Sequence, residues 1–231
     1  VSPGGYTSVP TATRQSRRLH VSPDGYTSVP KATCQSPSLN ELNCRYNQIT
    51  NLDLSQNYAL LTLNCGDNIF LSNLNLSSNL NLTNLSCYNN QLTNLNLSSN
   101  DSLVSLSCSG NQLTNLDISN NTELNYFDCH NNQITNLDLS ANIKLTSLVC
   151  NSNPLGSLDV SMLNNLSLLY TVNTQLTTLD LSNNTNLYAL QCEYNQLTNL
   201  DVSNNPLLWR IQCEQNQITH LDFSQNFALT F

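Results

Sequence analysis

The sequence predicts a mainly β solenoid of about nine coils, with two short parallel strands per coil, little or no helix, and an extended N-terminal arm. Three observations predict it. A 21-residue unit recurs along the chain, cleanest from Leu124 to Lys144 as LNYFDCHNNQITNLDLSANIK, with the skeleton LxxLxCxxNxLxxLxLSxNxx. Self-similarity at such a short period is the mark of a coil that closes on itself once per repeat. The cysteines set the register, at Cys44, Cys65, Cys87, Cys108, Cys129, Cys150, Cys192 and Cys213, with Thr171 in the remaining slot. Finally, apolar and polar residues alternate in two places per coil, at the period of a half-buried strand.

Those two places are the LxC piece, such as Leu148-Val149-Cys150, and the LxLS piece, such as Leu137-Asp138-Leu139-Ser140. Each is expected to stack on its counterpart, giving one parallel sheet on each flank. Asn three residues after each Cys (Asn47, Asn68, Asn90, Asn111, Asn132, Asn153, Asn195, Asn216) turns the chain and is expected to bond the backbone of the next coil. A second row, Asn57, Asn79, Asn100, Asn121, Asn142, Asn184, Asn205 and Asn226, turns it again. The step from Cys65 to Cys87 is one residue longer than the others, and the extra residue falls in the turn around Ile69 to Leu71. The pattern weakens where Leu163, Thr171 and Thr174 replace Asn, Cys and Asn, which predicts local loosening.

This skeleton resembles the leucine-rich-repeat family, in particular the 21-residue, Asn-rich, Cys-containing type found in secreted bacterial surface proteins, over Leu39 to Phe231. The resemblance implies a solenoid that recognises or assembles rather than catalyses, at the cell surface or outside the cell. It names no ligand, because function resides in sites grafted on such folds.

Residues 1–38 read as a separate segment with an internal duplication, VSPGGYTSVPTATRQS and VSPDGYTSVPKATCQS, and residues 39–231 as the solenoid. Recurrent Pro excludes helix and central strand from the arm, while Tyr, Val and Thr favour extended backbone. The arm is either a linker or Ser/Thr/Pro-rich stalk, or a strand that pairs with an exposed sheet edge of this or another subunit. It carries +3 of formal charge against −11 on the repeats, within a total of −8. Nucleic acid is therefore not an expected partner of the body. No apolar run approaches the ~18 residues of a membrane-spanning helix, so no span is expected, and Val1 reads as a mature or trimmed end. The ladder cysteines replace a Leu and read as small buried hydrophobes rather than a disulfide framework or metal site. Cys34 is the candidate for a reactive thiol.

The residues beside the Cys column vary from coil to coil, which suits recognition on a uniform scaffold. The candidate binding face is Arg45, Tyr46, Tyr88, His130, Tyr170, Glu193, Tyr194 and Glu214, with the tyrosines as anchors. The opposite flank repeats Ser beside Asp or Asn; an Asp row is tolerable if Ser hydrogen-bonds it, with weak calcium binding as the alternative. A flat Thr row there also raises ice binding, which the adjoining carboxylates disfavour. N-x-S/T sequons at Asn75, Asn81, Asn84, Asn96, Asn100, Asn120, Asn165 and Asn183 are candidate glycosylation sites. No cofactor, metal or catalytic constellation is expected, since the three histidines are scattered and no glycine-rich phosphate loop occurs.

Two functions follow. One is an extracellular scaffold that stacks head to tail on copies of itself through open ends at Leu39, Leu42, Phe227, Leu229 and Phe231, fastened by the basic arm. The other is an adhesion or recognition module whose variable face grips a protein or glycan.

Overall fold

The computed structural model describes residues 18–20 and 36–229; nearly all of the duplicated arm, Cys34 and Phe231 lie outside the described residues. Ten three-residue strands form one parallel sheet in sequence order. They are β1 Arg18–His20, β2 Glu41–Asn43, β3 Thr62–Asn64, β4 Asn84–Ser86, β5 Ser105–Ser107, β6 Tyr126–Asp128, β7 Ser147–Val149, β8 Leu168–Tyr170, β9 Ala189–Gln191 and β10 Arg210–Gln212. None of the described residues is helical. Strand pairing is in strict register, Leu63 lying beside Leu85 and Leu106 beside Phe127, so the buried central residues form a column.

That column merges with the Cys column and the other Leu positions into a single core from Leu39 to Leu208, with Ile211, Cys213, Ile218, Leu221, Phe223 and Leu229 packed against it and partly buried. The ladder cysteines are all reduced. From Cys65 to Cys213 burial pushes the ladder thiols upward, Cys150 to about 12, because a thiolate is poorly solvated there. Alkylation of the native protein followed by peptide mapping should therefore leave Cys65, Cys87, Cys108, Cys129, Cys150 and Cys192 unmodified and label the half-buried Cys213 first. Equal labelling along the ladder would contradict the burial.

One expectation needs correction. The LxLS flank forms no second sheet: the described strands number one per coil, not two. The reason is local. In every coil the Ser N–H is taken by the side chain two residues earlier, as in Ser140 to Asp138 Oδ1 at 2.9 Å and Ser77 to Asn75 Oδ1 at 3.0 Å. An Asx turn satisfies the donor that a ladder would have used.

Both Asn rows are buried apart from the half-buried Asn216, and all but Asn47 bond backward, to the preceding coil rather than the next. Asn132 Nδ2 donates to the carbonyls of Cys129 in its own coil and Cys108 in the coil before, at 2.9 and 3.1 Å, while its Oδ1 accepts the Leu113 N–H at 3.0 Å. Asn121 Nδ2 likewise reaches Asn100 O at 2.7 Å and Leu97 O at 3.3 Å. A buried carbonyl or amide without a partner costs ~1–3 kcal/mol, so these side chains satisfy groups that the turns would otherwise strand.

At the irregular coils the ladder is patched rather than broken. Thr174 Oγ1 bonds Thr171 O at 2.8 Å and Asn195 Oδ1 at 3.1 Å, and β7, β8 and β9 pair without interruption. The additional residue after Cys65 is absorbed where expected: Leu71 stays buried while Ile69 and Phe70 bulge outward, and Leu71 N–H closes the turn on Asn68 O at 2.7 Å. At the N-terminal end, β1 pairs with β2 through Leu19 beside Leu42. The arm therefore supplies a strand to its own sheet, the sheet crosses the 38/39 boundary, and the outer edge of β2 is not open.

Candidate recognition face

In β2 to β5, β7 and β8 the central residue is buried and its two neighbours are at least partly exposed, as the alternation of Thr62, Leu63 and Asn64 shows. The outward rows and the corner just after Cys make up the candidate face. That corner has an unforeseen backbone constraint. The second residue after each Cys adopts positive φ: Tyr46 (59°), Asp67 (54°), Asn89 (52°), Asn131 (53°), Ser152 (55°), Asn173 (56°), Tyr194 (56°) and Gln215 (57°), with Gly110 at 62°. Asn, Asp and Gly enter this left-handed region at little cost, whereas tyrosine pays about 1 kcal/mol or more. Tyr46 and Tyr194 are held there at 55% and 62% exposure.

The nominated residues fall into separate groups. Arg45, Tyr46 and Tyr88 come together: the Arg45 guanidinium lies 5.2 Å over the Tyr46 ring, and its charge acts on the Tyr88 phenol, whose ring lies over Gly66. Partial burial, in turn, pushes the Tyr88 hydroxyl above its ordinary range. His130 stands on β6's exit, with Nδ1 2.6 Å from Asp128 Oδ1 and its N–H bonded to the same oxygen at 3.1 Å. Tyr170 belongs to the strand row of β8 instead of the corner. Glu193 and Tyr194 sit about 24 Å from Tyr88 and Glu214 about 29 Å, at ~4.8 Å per coil, so the face is a strip and not a pocket. Among the assembly-end candidates, Leu39 and Leu42 are buried, Phe227 is exposed and Leu229 is half-buried.

The sequence reading omitted Tyr126, Tyr188 and Trp209. Tyr188 and Trp209 stack at 5.6 Å between ring centroids and 8° between planes, both exposed beside the exposed Leu207. Their signal lay in the row four residues before each Cys, which ends in Tyr188 and Trp209 after a run of smaller residues.

On the other flank the seven carboxylates Asp53, Asp117, Asp138, Asp159, Asp180, Asp201 and Asp222 are held below the usual range by Ser two residues on. The Ser hydroxyl leads at Asp53, Asp117 and Asp159, and the Ser N–H leads at Asp138, Asp180, Asp201 and Asp222. A depressed folded-state pKa contributes stability above the unfolded value of ~3.9 and loses it as pH falls through the folded value. The melting temperature should hold from neutrality to about pH 4 and fall below it, and Asp138→Asn with Asp180→Asn should flatten that fall, as Asn75 and Asn96 already do this job in their coils. Shallow clefts open between coils here, such as the one framed by Asp180 and Asp201. Among the described residues no three His, Cys, Asp or Glu side chains converge as a metal site.

Seven of the eight sequons present exposed asparagines; Asn100 is the exception and must be withdrawn. It is wholly buried, with Nδ2 committed to Asn79 O at 2.9 Å and Leu76 O at 3.3 Å, and cannot carry a glycan on the folded chain.

No family model and no curated protein matches the chain. Solved structures do. The functional domain of InlJ from Listeria monocytogenes, described as including a cysteine ladder, is 33% identical over 91% of this chain and 51% of that one, with a TM-score of 0.80. The chain thus spans about half of that domain. Internalin InlF of Listeria monocytogenes is 24% identical over 88% of this chain and 69% of that one, with a TM-score of 0.71. A leucine-rich-repeat protein of Leptospira interrogans is 22% identical over 89% and 62%, with a TM-score of 0.70. The latter two likenesses concern the fold alone.

Proposed function

From the premise that this chain is a leucine-rich-repeat solenoid with cysteine and asparagine ladders, we propose that it is a non-enzymatic recognition module acting at the cell surface or outside the cell. Its partner is a protein, gripped by the outward face of the sheet. The observation that carries this reading is the exposed aromatic side chains of the C-terminal coils: stacked Tyr188 and Trp209 with exposed Leu207 before the strands, and Tyr194, in an unfavourable backbone conformation, after β9. Exposed Trp and Tyr on a rigid sheet cost little entropy to immobilise and dominate interface energies. A core and Asn rows that scarcely vary, beside outward rows that vary freely, suit a scaffold carrying a specific face. The similarity to internalins agrees with this and supports an extracellular setting.

The test is a screen of the purified chain against extracellular protein ectodomains. A true partner should lose about 2 kcal/mol of affinity, roughly 30-fold, on Trp209→Ala, with the melting temperature unchanged. Partners whose binding ignores both Trp209→Ala and Tyr194→Ala would remove the reading.

A further inference from the structure

We infer that the other end of the face, over β2 to β5, holds a neutral saccharide with one pyranose ring stacked on Tyr88. This site is separate from the aromatic group proposed to grip protein. Its foundation is Gly66. A Cβ there would lie 2.7, 2.7 and 2.9 Å from Cε1, Cζ and Cε2 of Tyr88. Three ring atoms so nearly equidistant place that Cβ under the ring face and not at its edge. Tyr88 therefore lies with one ring face over Gly66, remains partly exposed, and has the Arg45 charge near its hydroxyl. The platform is built before any ligand arrives, which lowers the cost of binding.

The surroundings select the ligand. On β2 to β5 the outward residues are Glu41 and, otherwise, the amides and hydroxyls of Asn43, Thr62, Asn64, Asn84, Ser86, Ser105 and Ser107, all at least partly exposed. Amides and hydroxyls both donate and accept, which is what the hydroxyls of a sugar require and what an apolar peptide side chain cannot use. Asp67, at positive φ beside the ring, is steadied by Asn89 Nδ2 at 2.9 Å and offers a fixed acceptor for sugar hydroxyls. Asn89 can lie there because Gly110 is small: a Cβ at Gly110 would fall 2.2 Å from Asn89 Oδ1. A formal charge of −8 and the Asp67 carboxylate disfavour acidic sugars.

The experiment is saturation-transfer NMR and calorimetry on the whole chain with lactose, maltose, cellobiose, diacetylchitobiose and a sialylated lactose. At least one neutral disaccharide should bind saturably, and Tyr88→Ala should weaken it at least about tenfold. Gly66→Ala should weaken it too, by lifting the ring, whereas Tyr88→Phe keeps the platform and should stay within about threefold. Trp209→Ala should change nothing, which separates this site from the protein-binding one. The inference is overturned if no neutral sugar binds, if the sialylated sugar is preferred, or if binding survives Tyr88→Ala in a variant whose melting temperature is unchanged.

Discussion

Replacing Asn132 with alanine will lower the unfolding free energy by about 4 kcal/mol, more than most single changes in a protein of this size. The side chain is 8% exposed and serves two coils at once, bonding Cys108 O, Cys129 O and the Leu113 N–H. Alanine would orphan the buried Leu113 N–H, worth ~1–3 kcal/mol, and remove one of two donors from each of Cys108 O and Cys129 O, which keep Asn111 and Asn153, at ~0.5–1.5 kcal/mol apiece. Its neighbour Asn131 is exposed and bonds through its backbone, so Asn131→Ala should cost only the strain of its positive φ, about 1 kcal/mol. Chemical denaturation measures both. A loss at Asn132 no larger than that at Asn131 would mean that the ladder is decorative.

The second large effect is expected at Phe127. It is the largest fully buried side chain, packed in register between Leu106 and Leu148. Phe127→Ala should cost about 3–5 kcal/mol, because regular coils on either side cannot collapse into the cavity. Phe127→Leu restores the residue used by most coils and should cost under about 1.5 kcal/mol. Stability in such arrays is carried by nearest-neighbour interfaces, so hydrogen exchange after Phe127→Ala should accelerate most in β5, β6 and β7. Uniform acceleration along the chain would instead point to one global unit.

The Leu, Cys and Asn columns were legible in the sequence because repetition shows each slot many times over, so a single Thr171 or Leu163 could be recognised as a substitution within a known environment. The second sheet was misread because apolar alternation cannot tell a strand from an extended segment whose amides are captured locally, as Ser140 is by Asp138. Asn89, Gly110, Asn131 and Asn173 hinted at the left-handed corner, but Tyr46 and Tyr194 disguised it, since tyrosine seldom adopts that conformation. That the arm pairs with a sheet edge was one of two readings of the sequence, but its place at Arg18–His20 was not legible, because those residues carry none of the repeat's spacing signals. Within the candidate site, Arg45 and Tyr88 were nominated separately; their meeting depends on Gly66, whose significance is steric and visible only when the coils are stacked.

The one-sided pattern of inter-coil bonding has a mechanical consequence. Coils are laced by backbone hydrogen bonds along the sheet, whereas the Asp–Ser flank, with its amides turned inward on their own coil, is tied to the next layer by side chains, such as Asn142 Nδ2 on Ile118 O and Asn183 Nδ2 on Ser161 O. Like a book bound along its spine, the molecule should resist stretching at the sheet yet fan open along the Asp–Ser margin. Gentle bending would then widen or narrow that margin while leaving the spacing of Arg45, Tyr88, Tyr194 and Trp209 almost unaltered, so the recognition residues keep their relative positions even when the rod is loaded.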